Sequence, residues 1–109
     1  MKRGEIWTVA GGPDYTGKPR PAVILQDDAF DATRSVTVCP VTSAATDVPA
    51  MRPTIEPSDE NGLRVTSRLM VDKITTLSRT KVQARIGRLS SEEVTRMNRA
   101  VFTFLGLGG

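Results

Sequence analysis

Histidine is absent from this 109-residue chain, and cysteine occurs once, at position 39. Without histidine there is no Ser-His-Asp or Cys-His relay, and no paired-histidine ribonuclease chemistry. One cysteine and no histidine argue against a zinc site, and no cofactor is expected. Cys39 has no partner for an internal disulfide. It lies in an apolar strand pattern with no base to activate it, and reads as a small buried thiol. No apolar run is long enough to cross a membrane. The opening Met1-Lys2-Arg3-Gly4-Glu5 is polar, so neither signal peptide nor membrane anchor is expected, and the cytoplasm is. Aromatic residues make up 5% of the chain, too few for rows of stacking rings.

What is present is ordinary for a globular protein: 39% apolar and 25% charged residues. The length allows one domain, 1–109, with a single modest core. A net charge of +3 permits a nucleic acid or an acidic peptide as partner without requiring either.

Arg3 to Val9 mixes β-formers and reads as a first strand. A loop from Ala10 to Pro19 follows, marked by glycines and prolines. Pro21 to Gln26 is a second strand, an apolar run closed by Gln26-Asp27-Asp28. Asp27 to Thr33 is polar enough for one helical turn, and Arg34 to Thr42 is a third strand. Ser43 to Pro53 reads as loop, Thr54 to Pro57 as a short edge strand bracketed by prolines, and Ser58 to Gly62 as a turn. Ser67 to Thr76 alternates and reads as one strand. Val82 to Leu89 is another, with Ile86 as its anchor. The end is helical: Ser90 and Glu93 form a capping box, and Val94, Met97, Val101, Phe104 and Leu105 make one apolar stripe for packing on the sheet. Gly106 and Gly108 stop the helix. Short strands with a closing helix predict a mainly β fold with some α, a small, curled antiparallel β-barrel with a C-terminal helix.

The most constrained stretch is Gly17 to Gln26. Two prolines flank Arg20 and stiffen the backbone on both sides, so its guanidinium leaves the mouth of a core strand in a fixed direction. That suits phosphate, though a plain surface arginine has the same look. Gly12 to Lys18 fits the letters of a phosphate-binding Walker loop, but Pro19 stands where the magnesium-binding Ser or Thr belongs, and a strand follows instead of a helix. Thr42 and Ser43 end the third strand. If the second and third strands are neighbours, the Thr42 hydroxyl falls beside Arg20; capping a turn is the plainer use of such a hydroxyl. Tyr15 in the loop could stack on one base. The other basic residues, Arg64 and Lys73 among them, are scattered.

Arg3-Gly4-Glu5-Ile6-Trp7, Arg20 to Leu25 and Val38 to Ser43 together resemble the MazF/PemK/Kid toxins. Leu69 to Leu77 and Ile86 to Leu89 match the later strands of that family, and the resemblance covers nearly the whole chain. It implies an SH3-like β-barrel that forms a homodimer and cleaves single-stranded RNA at short sequences without metal. The partner it implies is an antitoxin with an acidic, extended segment. The family's catalytic arginine falls on Arg20 and its catalytic threonine on Thr42. Lys18, Ser43, Tyr15, Asp14 and Lys73 become candidates for substrate binding. The loop lacks the Glu of some members; Asp14 is the carboxylate nearest that place. The implied reaction is attack of a ribose 2′-OH on the adjacent phosphate. Two other classes compete: a gyrase-poisoning toxin of the CcdB type, which needs a tryptophan near the C-terminus that this chain lacks, and a non-catalytic SH3-like RNA- or peptide-binding module.

Overall fold

The computed structural model of the chain describes residues 1–10, 18–45, 48 and 50–108. The described residues form seven strands: β1 (Glu5–Val9), β2 (Arg20–Ile24), β3 (Ser35–Thr42), β4 (Thr54–Ile55), β5 (Ser67–Leu69), β6 (Thr75–Ser78) and β7 (Val82–Arg88). One helix follows, α1 (Ser91–Phe104). The strand order is β4-β5-β3-β2-β1-β7, with β6 also on β3, and the strand pairs are antiparallel. The result is a curled half-barrel closed by a helix, in line with the β-rich expectation.

The apolar run of β2 and its neighbour β3 explain why the sheet is built around them. Val23, Cys39 and Val41 join one buried cluster, with Ile6, Leu69, Leu89 and Met97. Ala22, Ile24, Val36 and Val38 join a second cluster. Alternate side chains of a strand leave by opposite faces, so these two strands are buried on both. That is why β2 reads as an unbroken apolar run rather than an alternating one.

The expected single strand from Ser67 to Thr76 is two. β5 pairs with the end of β3, Val41 opposite Leu69, and β6 pairs with its start, Val38 opposite Thr75. Between them a 3₁₀ turn, Val71–Lys73, leaves the ladder. Pro40 supplies the reason. Its carbonyl accepts the Met70 N–H at 2.8 Å, but it has no N–H to return. The ladder therefore breaks at that point. Arg52 braces the break by holding Asp72 through Nε and Nη2, each at 3.0 Å.

The helix begins as read: Ser90 Oγ accepts the Glu93 N–H at 3.1 Å, and Glu93 accepts the Ser90 N–H at 2.8 Å. It ends in a Schellman turn, with Gly106 at φ +73° and the Leu107 N–H donating to the Phe102 carbonyl at 3.0 Å. The stripe is shorter than expected. Met97 and Ala100 are buried and Val94 and Val101 pack beside them, whereas Phe104 and Leu105 are exposed. The period continues past the point where the sheet stops. Ile86 is half-buried and packs against the core cluster as the apolar anchor of β7, with the buried Gly87 next to it. No helix among the described residues is long and apolar enough to cross a membrane.

Candidate active site

Ala22 lies opposite Pro40 and Val23 opposite Cys39 across β2 and β3. The same register carried to the strand ends sets Arg20 opposite Thr42. Directly opposed residues of an antiparallel pair hold their Cβ atoms roughly 4.5–5.5 Å apart. Both side chains line one groove of about 470 Å³. Arg20 is exposed there and Thr42 half-buried. Arg20 starts β2 and pairs with Val9, so it belongs to the ladder rather than preceding it.

Thr42 Oγ1 accepts the Ala44 N–H at 3.1 Å. The hydroxyl thus caps the turn as its position suggested, and the accepted bond leaves its own O–H free to donate elsewhere. Arg68 holds the same turn, donating through Nη1 to the Ala44 carbonyl at 3.2 Å. Ser43 lines the groove next to Thr42.

The far wall is the segment 62–65, with Ile86 of β7 beneath it. It brings in a second guanidinium, Arg64, and no carboxylate lines the groove among the described residues. A second hollow of about 230 Å³ shares Arg20 and Pro21 and adds Thr75 and Lys81.

The other candidates divide. Lys18 is exposed and does not itself line the groove, although its neighbour Pro19 does. Lys73 is exposed on the 3₁₀ turn and does not line the groove. Asp14 and Tyr15 lie outside the described residues. Sequence reasoning passed over Arg64, because the wall it stands on forms only when a distant turn docks on β7. The Asn61-Gly62 pair just before it was the available signal.

Two groups near the centre have structural roles. Burial, then the Asp72 charge, pushes the Cys39 thiol up to about 12. Alkylation at about pH 8 is therefore expected to leave Cys39 unmodified in the folded protein and to modify it once urea unfolds the chain. Labelling of the native protein at the rate of a free thiol would contradict this.

Asp72 is held below its ordinary 3.8, first by the hydrogen bond from Arg52 and against a smaller opposing effect of burial. A carboxylate depressed in the folded state stabilises the protein at pH above its unfolded value, and that contribution is lost as pH falls through the folded one. Asp72→Asn is expected to lower stability at neutral pH. It should also flatten the acid limb below about pH 4 in a stability–pH profile from urea melts. An acid limb as steep as wild type would count against the pair.

Among the described residues no three His, Cys, Asp or Glu side chains gather as a metal site. The single tryptophan, Trp7, is used within the fold: its Nε1 donates to Glu5 Oε1 at 3.0 Å, and Arg85 pairs with the same carboxylate.

The sequence pattern of the PemK-like, MazF-like toxins of type II toxin–antitoxin systems matches residues 2–105. The chain is 50% identical over 109 residues, the full length of both proteins, to a probable endoribonuclease MazF of Mycolicibacterium smegmatis. Its fold is similar to an endoribonuclease from a mycobacterial species solved in complex with its cognate antitoxin, with a TM-score of 0.81 and 24% identity over 98% of this chain and 96% of that one. It is also similar to a chain of the MazE–MazF complex of Deinococcus radiodurans, with a TM-score of 0.78 and 22% identity over 97% of this chain and 96% of that one. A match across almost every residue, together with half of all positions shared with one full-length relative, shows that the chain belongs to the PemK-like, MazF-like family of type II toxins.

Proposed function

We propose that this toxin is a metal-independent endoribonuclease acting on single-stranded RNA as one domain, with Arg20 and Thr42 at its catalytic centre. The observation that carries the reading is their shared groove at the adjoining ends of β2 and β3. In the reaction the 2′-OH loses its proton and its oxygen bonds to the adjacent phosphorus. The bond from phosphorus to the 5′-oxygen breaks and that oxygen gains a proton. The products are a 2′,3′-cyclic phosphate and a 5′-OH. Arg20 supports the pentavalent phosphate with a two-pronged, charged hydrogen-bond donor. Thr42 adds a hydroxyl donor to the same oxygens. A guanidinium offers donors and no acceptor, so the role of Arg20 is to hold and neutralise rather than to act as a base. Ser43, Lys18, Asp14 and Tyr15 are proposed as substrate contacts.

The partner is an antitoxin whose acidic, extended segment competes for the groove, where two guanidinium groups meet it. The working form is a homodimer in the cytoplasm. Incubating the pure protein with EDTA and mixed-sequence RNA, then mapping 5′ ends, tests the activity. Recurrent cuts bearing 5′-OH ends are expected; RNA left intact would overturn the reading.

A further inference from the structure

The second wall of the groove is entered from a turn whose backbone is pinned in place. Asn61 is fully buried. Its Oδ1 accepts from the Ser58 N–H at 3.0 Å and the Leu63 N–H at 2.9 Å, and its Nδ2 donates to the Glu56 carbonyl at 2.8 Å. The Arg88 N–H donates to the Glu60 carbonyl at 2.9 Å, tying the turn to β7. Gly62 has φ +70°, and a Cβ there would stand 2.0 Å from the Ile86 carbonyl oxygen. The chain that leaves this clamp carries Leu63, Arg64 and Val65 directly into the groove.

Arg64 makes no ion pair among the described residues, whereas Arg52, Arg85 and Arg96 each face a carboxylate. It is exposed, and no acidic side chain shares its groove among those residues. Val65 beside it is 56% exposed, an apolar surface next to a cation. An exposed cation on a fixed wall, flanked by an apolar face, matches one nucleotide: a phosphate for the guanidinium and a ribose or base for the valine.

We propose that Arg64 is a substrate-binding residue that holds a phosphodiester next to the one being cut, so that the RNA is gripped from both walls. This rests on the endoribonuclease reading above. Arg64 binds substrate before and during the reaction alike, so its loss acts on KM rather than on kcat.

Steady-state cleavage of a short RNA by wild type, Arg64→Gln and Arg64→Lys, repeated across a salt series, tests it. Arg64→Gln is expected to raise KM on the order of tenfold with little change in kcat, and to reduce the slope of log KM against log salt by about 0.7, the value for one phosphate contact on a single strand. Arg64→Lys is expected to restore the slope. Thermal melts matching wild type show that the exposed substitution leaves the fold intact. If wild type cuts RNA and Arg64→Gln matches it in both KM and salt slope, the role of Arg64 is overturned while the endoribonuclease reading stands. If Arg64→Gln weakens binding of polyglutamate but not of RNA, the wall serves a protein ligand and the proposal is overturned likewise. Failure of wild type to cut RNA in EDTA removes both.

Discussion

Arg20→Ala is expected to slow single-turnover RNA cleavage by roughly a hundredfold or more, the loss that follows removal of a key electrostatic donor, and Thr42→Ala by a similar factor. Arg20 is exposed, so the loss is not expected to come from unfolding, and a melting curve close to wild type should accompany it. Arg20→Lys keeps the charge but loses the planar fork and should recover only part of the rate. Thr42 needs a finer comparison, because its oxygen also accepts the Ala44 N–H. Thr42→Ser keeps both the acceptor and the donor and should retain most activity. Thr42→Ala loses both. Folded Arg20→Ala and Thr42→Ala proteins that cut at the wild-type rate would dismiss the assignment.

The second large effect is on stability. Gly62→Ala forces a side chain into the left-handed region and sets its Cβ 2.0 Å from the Ile86 carbonyl oxygen. Backbone strain and overpacking together are expected to cost about 3 kcal/mol. For a domain of this size that corresponds to a fall in melting temperature on the order of 15 °C. The neighbour that receives the turn is as intolerant: a Cβ on Gly87 would stand 2.3 Å from the Asn61 carbonyl carbon. Differential scanning calorimetry measures the effect directly. A Gly62→Ala protein melting within a degree or two of wild type would show that the turn is not clamped to β7.

Local chemistry was legible in the sequence, and long-range docking was not. The capping box at Ser90 and Glu93 and the stop at Gly106 are patterns of a few residues, and both form as written. The burial of β2 follows from its unbroken apolar run. The split between Met70 and Ile74 could not be read there, because Val71 and Ile74 continue a plausible strand; the cause is Pro40, in the partner strand. The helix stripe misled in the opposite way. Phe104 and Leu105 keep the period, but nothing in a period says where the sheet beneath it ends. At the site, Arg20 and Thr42 were within reach because adjacent strands tend to pair. Arg64 was not, because its place depends on a turn some twenty residues upstream of β7 settling against that strand.

Burial of β2 and β3 on both faces also decides which molecule bends on encounter. A strand with solvent on one side can flex toward a ligand, but one packed on both sides moves only if the core moves with it. Arg20 and Thr42 stand at the ends of two such strands, so the backbone that carries them is anchored by that packing. In the reaction proposed above, the adjustment falls to the RNA, a single strand with soft torsions, which turns its backbone until a phosphate meets Arg20 and Thr42. Sequences whose bases stack stiffly lose more freedom in making that turn than those that swivel easily, so the rigidity of the protein becomes a filter on the flexibility of its substrate.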